Sequence, residues 1–218
     1  MIINRSFSSS LSKEKRFGSL KSLVLLVVIA ILTTSNSYAQ ASFETIDGLR
    51  YLLDSDAKTA TLTANAGGEK YSGDIVVPEK VKASDGVEYP VTVFADNAFK
   101  ECGGLKSVTI PSSVTSLGNH CFQSCSGLTS ITIPSSVTSL GSGCLGFCSG
   151  LTNITIPSSV TSLGSGCFHK CSGLTSITIP SSVTSFGTEC FRDCSGLTSI
   201  TIPSSVTSLG SYCFRDCI

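Results

Sequence analysis

The residues of this sequence that are best suited to chemistry are its eleven cysteines and its two histidines, His120 and His169. A thiolate is both a nucleophile and a ligand for soft metals, so regularly spaced cysteines can indicate catalysis, a metal centre or disulfide bonds. The cysteines form two series with a common step of 23 residues: Cys121, Cys144, Cys167, Cys190 and Cys213, and Cys102, Cys125, Cys148, Cys171, Cys194 and Cys217. Their number therefore follows from a sequence repeat before it indicates any chemistry.

Three interpretations of the cysteines are open. They are small buried hydrophobic residues stacked in two columns, or partners in Cys-x-x-x-Cys disulfides within a unit, or metal ligands. Metal binding is the least favoured, because zinc sites usually pair cysteines at short spacing or combine them with His, and only two histidines exist. We predict stacked thiols with no metal and no other cofactor. The odd count leaves at least one thiol unpaired in a monomer.

Catalysis finds no support in the sequence. A Cys nucleophile needs a His base that a third group orients, but the equivalent positions of other units hold Gly, Glu, Tyr, Gln or Arg instead of His. The two histidines are therefore predicted to be solvated surface residues. Only three carboxylates, Glu189, Asp193 and Asp216, lie within 102–218, and no phosphate-binding loop is present. We predict no catalytic residues; an extracellular Cys-dependent enzyme is the least favoured alternative.

The repeat predicts the fold. Five near-identical units of the form C-S-G-L-T-S-I-T-I-P-S-S-V-T-S-L-G-S-G-C-F-x-x span 102–124, 125–147, 148–170, 171–193 and 194–216. Within each unit Leu-x-x-Ile-x-Ile alternates with polar residues and stops at Pro, as a short strand does. One unit cannot bury its own apolar face, whereas stacked units share a core. The predicted class is mainly β: a solenoid of 23-residue coils, with one short parallel strand per coil and no long helix.

The spacing L-x-x-I-x-I-P-x-x-V-x-x-L-G-x-x-(A/C)-F-x-x-C resembles the BspA-like leucine-rich repeats of bacterial surface proteins over residues 73–218. Two departures are Cys, in later units, at the position of Ala98, and Leu145 in place of Phe. The resemblance implies a leucine-rich-repeat solenoid and a non-enzymatic role in adhesion, through binding of host extracellular-matrix proteins such as fibronectin or fibrinogen, or of other cells. It supplies no ligand-contacting residues, because the shared motif is structural framework.

Residues 1–39 are predicted to be a secretory signal peptide. A basic stretch precedes the ten-residue apolar run Leu23–Leu32, and Ser37 and Ala39 are small residues at the positions that signal peptidase reads. The run is too short for a membrane span, which needs about 20 residues. Removing this segment takes away five basic residues and one acidic residue and leaves 10 basic against 14 acidic, which disfavours nucleic-acid binding. The protein is predicted to be secreted or displayed on the bacterial surface, with no membrane span after cleavage.

Two further segments are predicted before the regular units. Residues 40–72 alternate like strands between turns and are predicted to form a β-rich N-terminal cap over the first open strand. Residues 73–101 read as a degenerate first repeat with a hairpin insertion at 82–91, where Asp85-Gly86 is a strong hairpin signal. The regular array, 102–218, holds five units and the start of a sixth. No matching cap follows it, so a longer repeat protein is expected.

Two surfaces are predicted to bind partners, namely extracellular proteins or cell surfaces. The strand face carries two ladders of short polar side chains: Ser107, Thr109, Ser130, Thr132, Asn153, Thr155, Ser176, Thr178, Ser199 and Thr201. The second surface, which we call the variable edge, flanks the cysteine of the first series (Cys121 and its equivalents) in each unit. Its residues differ between units: His120, Gln123, His169, Lys170, Glu189, Arg192, Asp193, Tyr212, Arg215 and Asp216. An alternative function is ice binding by the hydroxyl ladders, which resemble those of ice-binding β-solenoids.

Overall fold

The computed structural model describes residues 41–217. The predicted signal peptide at 1–39 lies outside the described residues. The described part consists of short strands, tight turns and one 3-10 turn at Ala66–Gly68, with no α-helix. Nothing helical in residues 41–217 reaches the length and apolar character that crossing a membrane requires.

The first three strands form an antiparallel meander: β1 (Ala41–Ile46), β2 (Leu49–Asp54) and β3 (Thr59–Thr63). Asp47 and Gly48, both with positive φ, form the first turn. The carboxylate of Asp54 closes the second turn by accepting hydrogen bonds from the backbone N–H groups of Asp56 and Ala57. β3 then pairs in parallel with β6, so the meander continues the sheet of the repeats at its N-terminal side.

The next segment contains β4 (Gly73–Val76), β5 (Lys80–Lys82) and β6 (Glu88–Phe94). β5 and β6 pair antiparallel across a turn that contains Gly86, which has a φ of 81°. β4 pairs in parallel with β7 (Leu105–Thr109), as one coil pairs with the next. The exact domain boundaries at residues 72 and 101 stay a prediction.

Each later coil contributes two strands: one extends, in parallel, the sheet that begins with the antiparallel meander, and the other belongs to a separate parallel sheet. The three-residue strands are β9 (Ser130–Thr132), β11 (Asn153–Thr155), β13 (Ser176–Thr178) and β15 (Ser199–Thr201). The two-residue strands are β8 (Ser116–Leu117), β10 (Ser139–Leu140), β12 (Ser162–Leu163), β14 (Ser185–Phe186) and β16 (Ser208–Leu209). The solenoid class is confirmed, but the predicted count of one strand per coil is corrected to two, because the Val-Thr-Ser-Leu segment also pairs with its copy in the next coil.

The space between the two sheets is filled by apolar side chains and cysteines, and no polar or charged residue is buried among those described. Aromatic rings stack from coil to coil: Phe99 on Phe122, with centroids 5.1 Å apart, and Phe168 on Phe191, also 5.1 Å apart. Leu145, which is fully buried, interrupts this column. The coils therefore share one continuous core, as stacked repeats require.

Polar side chains and close backbone contacts also join successive coils. The second serine of the Pro-Ser-Ser-Val turn donates to the valine carbonyl one coil back, as Ser136 does to Val114 at 2.6 Å and Ser182 to Val160 at 2.7 Å. At Gly150 the coils lie so close that a Cβ atom would stand 2.3 Å from the carbonyl oxygen of Ser126. The repeated glycine at this position is therefore required by the distance between coils.

Candidate functional site

Five cysteines of the second series join the coils through their thiols, four of them buried and Cys217 half-buried. The Sγ atoms of Cys125 and Cys148 donate to the carbonyl oxygens of Phe99 and Phe122, one coil back, at 3.0 and 3.1 Å. Cys171, Cys194 and Cys217 make the same contact at 3.0–3.1 Å. A thiol is small, apolar and a weak donor, so it fills the core and also reaches a carbonyl.

The first series occupies the position that Ala98 holds in the hairpin-bearing coil, and Cys121, Cys144, Cys167 and Cys190 are fully buried. Burial raises the pKa of the Cys167 thiol to about 12, and burial likewise raises the pKa of Cys148 to about 12. At these two cysteines thiolate, the nucleophilic and metal-binding form, is therefore strongly disfavoured at neutral pH.

All eleven thiols are free in the structure. Within residues 41–217, no group of three or more His, Cys, Asp or Glu side chains is placed to bind a metal. The chemistry that this arrangement supports is packing and weak hydrogen bonding between coils.

The ten predicted strand-face residues are all exposed, on β7, β9, β11, β13 and β15. Among the described residues, Ser107 alone of the ten makes a side-chain hydrogen bond, to Asp74 at 2.6 Å. Other hydroxyls are engaged between coils, as Thr152 is when it donates to the Thr129 carbonyl at 3.2 Å. The strand face is therefore a uniform, almost uncharged surface. Binding by it, including ice binding, stays a prediction.

The variable edge is built on two columns of left-handed backbone, which were not predicted from the sequence. One column has φ between 55° and 61°: His120, Gly143, Gly166, Glu189 and Tyr212. The other has φ between 57° and 62°: Ser124, Phe147, Lys170, Asp193 and Asp216. The glycines at 143 and 166 were the signal that could have revealed the first column. Residues of both columns use their backbone N–H to bond the next coil, as Phe147 does to the His169 carbonyl at 2.6 Å.

The charged residues of the edge contact one another within a coil and, for His169 and Asp193, across coils. His169 Nε2 lies 3.2 Å from Asp193 Oδ2, and Arg192 donates to Glu189 at 2.8 Å and lies 3.5 Å from Asp193. Arg215 and Asp216 pair at 3.2 Å in a more exposed position. The edge is therefore an ordered network of both signs rather than a set of independent surface charges.

The prediction that the two histidines are solvated is only partly correct, because both are half-buried. The side chain of His169 is only 18% exposed, because Asp193 and the ring of Phe147 enclose it. The ring of His120 lies over Gly143, where a Cβ atom would stand 2.3 Å from Nδ1. Within the described part of the chain that buried Nδ1 has no hydrogen-bond partner. Gln123 lies beside it in the same turn and is half-buried.

Phe147 belongs to the edge but was absent from the predicted site. It is 37% exposed, its ring centroid lies 5.0 Å from that of His169, and Lys170 Nζ lies 5.3 Å from the centroid. The sequence signal was Leu145-Gly146-Phe147, in which the aromatic residue stands two positions later than in other units. Phe147 lies at one end of an open groove of about 500 Å³ that also contains Lys170, Asp193 and Asp216.

The fold and the repeated framework define a bacterial-type leucine-rich-repeat solenoid. Residues 92–218 match the family model described as BspA type leucine rich repeat region, in six copies. The chain therefore belongs to the BspA-type leucine-rich-repeat family, which confirms the resemblance drawn from its motif. No curated protein matches the chain.

Solved structures of bacterial proteins are similar. A leucine-rich repeat protein from Bacteroides ovatus is 28% identical with a TM-score of 0.70, over 80% of this chain and 45% of that one. A leucine rich cell surface protein from Faecalibacterium prausnitzii is 30% identical with a TM-score of 0.62, over 81% of this chain and 52% of that one. The T. pallidum leucine-rich repeat protein shares the fold, with 24% identity and a TM-score of 0.63 over 78% of this chain and 86% of that one. The chain spans about half the length of the first two.

Proposed function

We propose that this chain is an exported, non-enzymatic repeat protein that binds extracellular proteins or cell surfaces through its variable edge. The signal sequence predicted at 1–39 and membership of the BspA-type family support export and adhesion. One similar protein, from Faecalibacterium prausnitzii, is described as a cell surface protein. The partners expected from the resemblance are host matrix proteins or other cells.

The proposal rests on the positions at which the coils differ from one another. Coils that are otherwise near copies change residue type at the two left-handed columns and between them, and these positions carry exposed aromatic and charged groups. Aromatic residues and Arg are enriched at protein interfaces. Because successive coils place such groups side by side, weak individual contacts add through avidity when the partner is itself repetitive or surface-bound.

The test is binding of the purified protein to immobilised fibronectin, fibrinogen, mucin and bacterial cells. In an edge variant, His169→Gly, Lys170→Ser, Glu189→Gly, Arg192→Gly and Asp193→Ser replace edge residues by those at the same position of other coils. In a strand-face variant, Ser130→Ala, Thr132→Ala, Ser176→Ala and Thr178→Ala change a similar number of exposed residues. We expect the edge variant to lose binding and the strand-face variant to keep it. Retention of the unmodified protein on none of the targets contradicts the proposal, and loss only in the strand-face variant places the site elsewhere.

A further inference from the structure

We propose that the groove along the variable edge binds an extended polypeptide segment that presents an apolar, an acidic and a basic side chain in this order. This inference rests on the proposed function and specifies the chemistry of the partner. The groove follows the solenoid axis over four successive coils. Its wall residues are Phe147, Lys170, Asp193 and Asp216, one from each coil.

The groove presents groups in a fixed order along the axis: an aromatic ring, a cation and two carboxylates. Phe147 is 37% exposed, and Lys170 is exposed with its ammonium 5.3 Å from the Phe147 ring centroid. Asp193 is held by His169 at 3.2 Å, and the Asp216 side chain is 58% exposed beside Arg215. A complementary partner places an apolar side chain at Phe147, a carboxylate at Lys170 and a cation between Asp193 and Asp216.

The dimensions fit an extended chain. Neighbouring coils are separated by about 4.8 Å, so the four wall positions cover about 14 Å. Five residues of extended chain cover about 13 Å, and alternate side chains point the same way. Residues one, three and five of a pentapeptide therefore meet Phe147, Lys170 and the two aspartates. The serines that follow the second-series cysteines, Ser149, Ser172 and Ser195, also line the groove and are exposed to the peptide backbone.

Synthetic peptides test the order of charges. The fluorescein-labelled probes are Leu-Ser-Glu-Ser-Arg, the reverse sequence Arg-Ser-Glu-Ser-Leu, and the charge-exchanged peptides Leu-Ser-Arg-Ser-Glu and Glu-Ser-Arg-Ser-Leu, measured by fluorescence polarisation at low salt. We expect one of the first two, according to chain direction, to bind at least about tenfold more tightly than its charge-exchanged counterpart. The preference should weaken as salt screens the exposed charges. Equal binding of all four peptides, or binding of none, overturns the inference.

The protein variants use residues that other coils already carry at the same position. Lys170→Glu and Asp216→Lys exchange the groove charges, and each new residue already occupies the same left-handed position elsewhere, as Glu101 and Lys170. We expect the double variant to reverse the preference. Phe147→Ser, which adopts the residue of Ser124, should weaken binding of the preferred peptide several-fold. Lys106→Glu on strand β7 makes the same charge change as Lys170→Glu alone, so it is the control for that substitution and should leave the preference intact. An unchanged preference in the double variant contradicts the inference.

The plate assay separates this inference from the proposed function. If the double variant binds matrix proteins or cells as the unmodified protein does and shows no altered peptide preference, the groove inference fails while the proposed function stands. If the peptides bind as predicted but no extracellular protein or cell is retained, the groove inference stands and the proposed function fails.

Discussion

Phe147 and Cys148 are neighbours in the chain, yet they belong to opposite kinds of position. Cys148 is fully buried, and the equivalent residue of every unit is Cys. Phe147 is 37% exposed, and its equivalents are Ser, Lys, Asp and Asp. The side chain of Cys148 contacts the preceding coil, whereas the inter-coil hydrogen bond of Phe147 uses only its backbone N–H. The fold therefore fixes residue type where coils meet, through the side chain that fits there or, as at Gly150, through the lack of room for one.

This difference separates the requirements of folding from those of recognition. A left-handed residue at the edge contributes the same backbone hydrogen bond whatever side chain it carries, so the surface can change while the solenoid stays intact. The interior has no such freedom, because each side chain packs against its copy in the next coil.

The largest expected contrast is chemical reactivity. Because burial raises the pKa of Cys148 and Cys167 from 9.0 to about 12, the thiolate fraction at pH 8 should fall about a thousandfold relative to unfolded chain. Reaction with Ellman's reagent should be very slow at most of the buried cysteines of the folded protein. It should be faster at Cys217, which is half-buried, and at Cys213, whose pKa is lowered by a hydrogen bond from the Cys190 thiol; unfolding in guanidinium should titrate all eleven thiols. Fewer than eleven thiols in the unreduced, unfolded protein would reveal disulfides, in disagreement with the structure.

The next contrast compares two glycines. Gly150→Ala places a Cβ atom 2.3 Å from the Ser126 carbonyl oxygen, so the backbone must shift, and we expect a loss of about 3 kcal/mol or more in unfolding free energy. Gly166→Glu puts at the edge the residue found at Glu189, with only His169 Cβ near, at 3.7 Å. Because Gly166 has a φ of +60°, a side chain there is strained and the change should cost about 1–2 kcal/mol, still less than Gly150→Ala.

Urea denaturation followed by circular dichroism measures both variants. Similar losses of unfolding free energy for Gly150→Ala and Gly166→Glu would show that the edge tolerates substitution no better than the contacts between coils.

The two cysteine series offer a finer contrast. Cys144→Ala reproduces the residue found at Ala98, whereas Cys148→Ala also removes the hydrogen bond from Sγ to the Phe122 carbonyl at 3.1 Å. That carbonyl keeps a bond from the Cys125 N–H, so the additional cost is that of one weak hydrogen bond. We expect Cys148→Ala to lose about 0.5–1 kcal/mol more than Cys144→Ala in urea denaturation. Equal losses would mean that the thiol acts only by its volume.

The repeat made the solenoid predictable, because the step of the prolines and cysteines places equivalent residues side by side. The second strand of each coil was missed, since Ser139–Leu140 is too short to show alternation and forms only by pairing with its copies. The left-handed columns were hidden because most of their residues are not glycine.

The network of the edge was predictable only in part. The sequence identified which residues vary, but it gave no sign that His169 is enclosed. The pairing of His169 with Asp193 joins residues one coil and one position apart, so it depends on the register between coils rather than on local sequence. The groove beside Phe147 depends on the same register.

Glu79 is an exposed residue whose side chain nevertheless joins two coils, so it is an exception to the difference between exposed edge side chains and buried side chains between coils. Its carboxylate accepts hydrogen bonds from the Ser112 hydroxyl at 2.8 Å and from the Ser112 and Ser113 N–H groups. These bonds, the Ser112 hydroxyl first, lower the pKa of Glu79. A lowered folded-state pKa gives stability that is present above the ordinary value of 4.5 and is lost as pH falls through the folded-state value.

Glu79→Gln should therefore lower the melting temperature at pH 7 by about 2 °C and have less effect below pH 4, where the unmodified protein has lost the same interaction. Thermal unfolding from pH 7 to pH 3 measures the difference. Parallel curves for the two proteins would show that the carboxylate contacts contribute no pH dependence.

The smallest effect on stability is expected at the edge network itself. Asp193→Ser adopts the residue of Ser124 and removes the contacts with His169 and Arg192. Ion pairs at a protein surface contribute little even when partly enclosed, so the unfolding free energy should change by less than about 0.5 kcal/mol. The same substitution removes one of the two carboxylates proposed to receive the basic residue of a partner, so peptide binding should fall several-fold. A large loss of stability without loss of binding would reverse the roles assigned to the two regions, because the edge would then hold the coils together and the partner would bind elsewhere.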